Sequence, residues 1–344
     1  MGEKQFKTRK LQFGDIIIEK SGGSEKQPVG RPILFNVEDG NYSFSNFTST
    51  LRIINKEELS PVFLQKYLYY RWLEGDTRAL QSHTTGIHNL DFKGYLDFEI
   101  PLPPLADQRR IVSILDVKFA QIDALKAAAQ KNLDNAEQLW KAQLEKQFDN
   151  QKWEKKKLGE VFFVKSGGTP SRSVKEYWEG DIPWYTSGEL GNKYTVASEQ
   201  NINAYAIENS NAKIFPKGSL LIGMYDTAAM KMSIIDRDAT FNQAIAGVKP
   251  NINHNLHFVR LFLESIKNEM MYLRRGTRQK NLTLGKIQAI EIPLPPLAEQ
   301  EQIVKELDAL SAKINALKAN YRRQIECCDE LRQSLLRAAF EGEM

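Results

Sequence analysis

Three short runs in this chain of 344 residues bring together residue types that can hold a polyanion. Lys20-Ser-Gly-Gly-Ser24 and Lys165-Ser-Gly-Gly-Thr169 each set a cation and hydroxyls beside two glycines. Without Cβ atoms the backbone can approach a phosphate closely and leave amide N–H groups free to donate to it. Arg274-Arg-Gly-Thr-Arg-Gln-Lys-Asn281 concentrates four cations with Gln279 and Asn281. Guanidinium and amide groups grip phosphates and also match the edges of guanine and adenine. Each run has a plainer reading. Lys-Ser-Gly-Gly is also an ordinary turn, and paired arginines after a helix suit its negative C-terminal end. Lys155–Lys157 with Lys152 reads as a solvated linker, and Trp178, Trp184, Tyr185 and Tyr225 read as core.

Catalytic patterns are not found. Leu284-Gly-Lys-Ile287 lacks the spacing and hydroxyl of a phosphate loop, no Gly-x-Gly-x-x-Gly opens a helix, and no Asn/Asp-Pro-Pro-aromatic run is present to hold a flipped base. Of His83, His88, His254 and His257, only the last two are close in helical spacing. They adjoin a loop and N-cap run at Asn251–Asn255, so no metal site is expected. Cys327 and Cys328 are helical neighbours about 100° apart, which disfavours a shared metal or a disulfide framework. The 47 basic and 43 acidic residues leave a formal charge of +4. That balance permits nucleic-acid binding without announcing it. The polar, basic N-terminus has no apolar stretch behind it, and no run is long and apolar enough to cross a bilayer. An intracellular soluble protein is expected.

The elements that must position these runs come in duplicate. Ile100 to Asp116 reads IPLPPLADQRRIVSILD and Ile292 to Asp308 reads IPLPPLAEQEQIVKELD, 192 residues apart and identical at twelve of seventeen positions. So long a period points to duplication of a whole module rather than a solenoid. Each phrase follows an irregular, Gly- and aromatic-rich segment and precedes a long charged helical one. Its prolines make a stiff extended exit, and Ala-(Asp/Glu)-Gln then starts a helix with a carboxylate near its positive end. In the first helical segment Ile111, Leu115, Lys118, Ile122, Leu125, Ala129, Leu133, Ala136 and Trp140 recur at spacings of three and four. Ile303, Leu307, Leu310, Ile314, Leu317, Tyr321, Ile325 and Cys328 do so in the second. Such stripes predict coiled-coil seams. About 42 residues make a rod of roughly 60 Å, and two equal rods can pair antiparallel and hold two globular segments a fixed distance apart.

Within the globular segments, Phe13–Ile18 and Pro28–Phe35 read as strands, Tyr42–Ile54 as extended, and Ser60-Pro61 opens a helix to about Leu73. Phe215–Ile222 resembles Gln12–Ile18 as a turn into an apolar strand, and His257–Leu273 corresponds to the Pro61 helix. Gly276–Leu282 lies over Thr84–Leu90, and from there the register of 192 runs unbroken to Phe148 and Phe340.

Taken together, the doubled phrase, the helix after each copy and Leu335-Leu-Arg-Ala-Ala-Phe-Glu-Gly342 resemble the specificity subunit of a Type I restriction–modification system. Trp153-Glu-Lys-Lys-Lys-Leu-Gly159 and Gly14-Asp-Ile-Ile-Ile-Glu-Lys-Ser-Gly-Gly23 add to the likeness. It covers essentially the whole chain. The resemblance implies an α+β protein in which two mixed α/β target recognition domains are separated by two long helices pairing as an antiparallel coiled coil. The expected division is a first recognition domain over 1–106, a helix over 107–150, a second recognition domain over 151–298 and a helix over 299–344. It implies a cytoplasmic subunit without catalysis or cofactor of its own. Double-stranded DNA, two methyltransferase subunits and a motor/endonuclease subunit would be its partners, and these partners would use S-adenosylmethionine, ATP and Mg. DNA contacts would come from Lys20, Ser21, Gly22, Gly23, Lys26, Thr85, His88 and Asn89 in the first domain. In the second they would come from Lys165, Ser166, Gly167, Gly168, Thr169, Ser187, Tyr225, Arg274, Arg275, Thr277, Arg278, Gln279, Lys280 and Asn281. The first domain departs from the family pattern. Aligned on Phe215–Ile222, it starts about 55–60 residues into a complete domain. The rival alignment, Glu19–Gly23 on Val164–Gly168, fits the strand that follows less well. Two other readings are a scaffold that only docks methyltransferases and a self-contained nuclease or methyltransferase, the latter without any motif.

Overall fold

The computed structural model describes residues 3–25, 27–84, 87–149, 152–275 and 282–342. The chain divides into two units, Met1–Leu133 with Ala319–Met344, and Asp134–Lys318. Each holds one globular segment and parts of two long helices.

In the first unit α1 (Glu3–Arg9), which the sequence did not signal, precedes β1 (Ile16–Glu19), β2 (Ser21–Gly22), β3 (Pro32–Leu34) and β4 (Thr48–Leu51). β1 is central and antiparallel to β3 and β4. Its alternation sends Ile16 and Ile18 into a core with Val29, Leu64, Leu68, Leu90 and Tyr95. α2 (Pro61–Glu74) starts with proline where its missing N–H costs nothing and ends at Gly75 in the left-handed region. Then β5 (Gln81–Thr84) and β6 (Ile87–Leu90) form a hairpin extended by β2, and α3 (Phe92–Leu96) leads to α4 (Leu105–Phe148).

The second unit is larger. β7 (Lys155–Lys157), α5 (Leu158–Val161) and β8 (Val164–Ser166) come first, then β9 (Ile182–Tyr185), β10 (Gln200–Ile202) and α6 (Ala204–Glu208). β11 (Leu220–Gly223), β12 (Met232–Ile234), β13 (Thr240–Phe241) and β14 (Ile245–Val248) follow. They form two sheets, ordered β12-β11-β14-β8 and β10-β9-β13. The helix expected over His257–Leu273 is two, α7 (Leu256–Ser265) and α8 (Lys267–Arg275), with Ile266 between them. α9 (Leu284–Gln288) and β15 (Glu291–Pro293) then reach α10 (Leu297–Phe340). Lys155–Lys157 is not a linker: it is strand β7, antiparallel to β15 at the start of the second phrase, with its three lysines exposed.

The repeated phrase is a clamp. Gln108 and Gln300, at matching positions in its two copies, are both fully buried. Gln108 Oε1 accepts the N–H of Ser60, the N-cap of α2, at 2.9 Å, and its Nε2 donates to Pro103 O at 2.9 Å and Glu58 O at 2.7 Å. Gln300 Oε1 accepts from Asn255 N, the N-cap of α7, at 2.9 Å, and its Nε2 donates to Pro295 O at 2.8 Å. A buried amide so engaged ties the start of each globular helix to the start of a long one. The last residue of each phrase adds an ion pair, Asp116 with Lys66 and Asp308 with Lys193, both at 2.6 Å.

Within each unit the long helices run antiparallel. In the first unit Ile111 and Leu115 pack with Leu336 and Ala339, and Lys126 and Asp123 pair with Asp329 and Arg332. In the second, Leu144 packs with Ile303 and Leu307, and Glu137 pairs with Lys318. The predicted seam is corrected at Leu125 and Leu317, which are 61% and 44% exposed. Lys118 is exposed as well, whereas Ile122, Ala129 and Ala136 fill the seam at intervals of seven and Leu133, Trp140, Leu310, Tyr321 and Ile325 are half-buried beside it.

Candidate nucleic-acid interface

β8 and β11 are both antiparallel to β14, with Ser166 and Ile222 opposite Ala246. They therefore run parallel to each other, and their C-terminal ends meet the start of β14 at one end of the sheet. Three expected loops converge there. Gly167, Gly168 and Thr169 follow β8, Tyr225 and Asp226 follow β11, and β9 ends beside them because Asn242 N donates to Tyr185 O at 2.9 Å. That contact brings in the turn Ser187–Glu189, braced by Glu189, whose carboxylate accepts from Thr186 N at 2.6 Å and Glu199 N at 2.9 Å. Leu282 N donates to Met224 O at 3.0 Å, which anchors the residue that follows the basic run to the same end.

At this end lies an open groove of about 550 Å³, lined by Lys165–Thr169, Asn211, Lys213 and Gln243. No carboxylate lines it, and neither lysine has an ion-pair partner among the described residues. Other depressions differ in charge. One in the second unit is lined by Glu145, Asp149 and Glu269 with Lys146, and one in the first by Lys66 and Arg332, already paired with Asp116 and Asp123, and by Arg31, which lies over the Trp72 ring. Thr169 donates its hydroxyl to Gln243 Oε1 inside the groove.

The glycines do not act as expected. Gly167 and Gly168 are buried, and their N–H groups donate to Ile245 O at 3.2 Å and Phe241 O at 2.9 Å. A Cβ on Gly167 would lie 2.0 Å from Phe241 O, and one on Gly168 2.4 Å from the Asn211 carbonyl carbon. They are glycine because two chain segments cross there, and their N–H groups are already committed inside the fold. The loop instead presents Lys165, Thr169 and, half-buried, Ser166. Tyr225 is half-buried against the core, and Ser187 is half-buried.

In the first unit Ser21, Gly22, His88 and Asn89 do come together. β2 pairs with β6 as Ser21 opposite Asn89 and Gly22 opposite His88, and Ser21 Oγ donates to Asn89 Oδ1 at 2.7 Å. Lys20 and Ser21 donate their N–H groups to Phe47 O, so this turn too lacks spare backbone donors at those two residues. Lys20 is half-buried and Gly23 exposed. Lys26, Thr85, Thr277, Arg278, Gln279, Lys280 and Asn281 lie outside the described residues; Arg274 and Arg275 close α8.

The two Lys-Ser-Gly-Gly runs occupy different places. The first follows the central strand β1, and the second begins within the edge strand β8. The counterpart of Lys20 is Met224: Leu90 N donates to Lys20 O and Leu282 N to Met224 O. Further along, Gly30 N donates to Glu19 O and Met230 N to Gly223 O. Gly30 has φ +93° and Met230 φ +59°, so a left-handed residue turns the chain at the same point in both. Asn211, Lys213 and Gln243 escaped the sequence reading. The polar run Asn209-Ser-Asn-Ala-Lys213 mixes amides and a cation as the basic run does, and was the available signal.

His254 and His257 serve structure. Gln300 Nε2 lies 3.3 Å from His254 Nδ1, and Tyr194 Oη lies 3.3 Å from His257 Nε2. Burial, reinforced by Lys193 and Arg260, pulls the His257 imidazole below its ordinary pKa.

The family model for the Type I restriction modification DNA specificity domain matches residues 2–134 and 150–327. The EcoR124I/EcoR124II specificity subunit of Escherichia coli is 28% identical over 300 residues, 83% of this chain and 72% of that protein. The StySPI specificity subunit of Salmonella potsdam is 24% identical over 377 residues, 98% of this chain and 76% of that protein. Among solved structures, a chain of a type I R-M system whose assembly and conformational transition were studied has TM-score 0.82 at 21% identity, covering 98% of this chain and 85% of that one. The HsdS subunit of Thermoanaerobacter tengcongensis has TM-score 0.57 at 20% identity, over 97% of this chain and 82% of that one. At these identities the structures speak for the fold.

Proposed function

The chain belongs to the Type I restriction-modification DNA specificity family, and from that premise we propose that it is the subunit that chooses the DNA sequence for a modification and restriction complex. It supplies no catalysis itself. Its two globular segments, 1–106 and 151–298, are the readers of a bipartite site, and the helices over 107–150 and 299–344 are the conserved segments that join them. Two methyltransferase subunits and a motor/endonuclease subunit dock on it in the cytoplasm. They carry out adenine methylation with S-adenosylmethionine, and cleavage with ATP and Mg.

The observation that carries this reading is the groove of the second reader, with two lysines that have no ion-pair partner among the described residues, four neutral hydrogen-bonding side chains and no carboxylate in its lining. Lysines suit phosphates, while amides and hydroxyls suit base edges. The basic run Arg274–Asn281 is its neighbour in sequence to Leu282, and Arg278 and Gln279 are proposed to add base contacts.

The experiment is a genomic methylation map of the source strain with and without the gene. One bipartite motif should vanish on deletion and return on complementation, and an unchanged map would refute the assignment. In vitro, affinity of the chain with its methyltransferase partner should fall steeply with salt through counterion release.

A further inference from the structure

The groove of the second reader contains one side chain whose orientation is set before any ligand arrives. Thr169 donates its hydroxyl to Oε1 of Gln243. That bond occupies one lone pair of the amide oxygen and restrains the orientation of the amide, so the Nε2 hydrogen anti to Oε1 projects away from Thr169. The backbone around Gln243 is held as well. Asn242 N donates to Tyr185 O at 2.9 Å, and Ala244 N donates to Asn242 Oδ1 at 3.0 Å. Gln243 is exposed nonetheless. An exposed glutamine usually loses rotamer freedom when it binds; here much of that ordering belongs to the free protein. Lys165 and Lys213 share the groove, with no ion-pair partner among the described residues.

We propose that Gln243, oriented by Thr169, reads a base in the second half-site by donating from Nε2 to a purine edge, while Lys165 and Lys213 hold flanking phosphates. This rests on the DNA-specificity reading and adds to it a division between readout and grip. An amide aimed at a purine distinguishes base pairs in the major groove, whereas an ammonium on a phosphate carries no sequence information.

The test is selection from a randomised duplex library by the full chain purified with its methyltransferase subunit. Parent, Gln243→Ala, Thr169→Val, Thr169→Ser and Lys213→Ala are compared, each variant first checked for an unchanged thermal midpoint. Gln243→Ala and Thr169→Val should lose preference at the same single base pair by about tenfold, and Thr169→Ser should keep it. Lys213→Ala should retain the whole motif, bind more weakly to every sequence and lower the salt slope by about one. Should the alanine variant unfold, Gln243→Glu, which replaces the donor by an acceptor, must change the preferred base pair. A Gln243 variant that keeps the full motif, whether or not affinity drops, overturns the proposal. Relaxation by Gln243→Ala but not by Thr169→Val overturns the orienting role of Thr169. A parent that selects no motif overturns the DNA-specificity reading and this proposal with it, and is thereby distinguished from a failure of Gln243 alone.

Discussion

The central sheet of the second reader packs an apolar cluster on each face; among the described residues that of the first packs one on a single face. In the second, Leu220 and Ile222 enter the core under α7, while Leu221 between them packs into a second cluster with Tyr185, Phe215, Phe241 and Ile245. In the first, Ile16 and Ile18 enter the core under α2, and Ile17 between them, on the opposite face, is half-buried beside Ile33, which is 56% exposed. The difference is written at one cross-strand position. Gly247 stands opposite Leu221, and a Cβ there would meet the Phe241 ring at 2.2 Å. Thr50 stands opposite Ile17, and among the described residues no aromatic cluster packs on that face of the strand. Two copies of one module thus diverged by what lies on the sheet and by the break at Ile266 in the helix beneath it, while the glutamine clamp at the start of that helix was kept.

Truncating the covering layer should have the largest effect. Phe241→Ala should cost the second unit about 3–5 kcal/mol, whereas Ile33→Thr in the first should change stability by less than about 0.5 kcal/mol. Hydrogen exchange resolved to peptides measures each unit, and equal protection losses would break the comparison. The shared clamp should behave alike in both. Gln108→Leu and Gln300→Leu each strand a buried N-cap donor and should cost about 2–3 kcal/mol, read as a shift in denaturant midpoint. A loss in only one unit would mean the two phrases differ in role.

A third difference is titratable. His257 has its folded pKa lowered by burial and by Lys193 and Arg260, so the unfolded chain binds the proton more tightly. The second unit should therefore be fully stable above the unfolded pKa of about 6.5 and lose stability as pH falls through it. The matching position on α2 is Val62, so the first unit has no such group there. Protection measured from pH 7.5 to 5 should fall further in the second unit, and His257→Gln should reduce that slope. Smallest of all, Lys126→Ala removes the exposed ion pair with Asp329 and should cost under about 1 kcal/mol, less still in high salt.

Much of the architecture was legible because repetition is a strong signal. The 192-residue register made α4 and α10 equivalent end to end, each starting two residues before 107 and 299, and it also relates α3 to α9, which the sequence had not marked as helices. α2 was marked by Ser60-Pro61 and β11 by its apolar run. The pairing of Lys155–Lys157 with Glu291–Pro293 was not legible, because it depends on a partner distant in sequence. The break at Ile266 has no Gly or Pro to mark it, and the β5–β6 hairpin, whose strands are neighbours, lacks the usual Asn-Gly or Asp-Gly pair. The candidate site was half legible. Lys165 and Thr169 were found through their neighbours Gly167 and Gly168, although those glycines serve a close crossing of chains rather than a ligand.

The sequence by itself determined that there are two modules, where each gives way to a helix, and which family pattern they follow, since identity at a fixed spacing survives without knowledge of contacts. Only the tertiary structure decided which residues share a groove. Asn211, Lys213 and Gln243 meet Lys165 because β8, β11 and β14 align their ends. Such an alignment is set by hydrogen-bond register between strands up to about 80 residues apart, which no local pattern records.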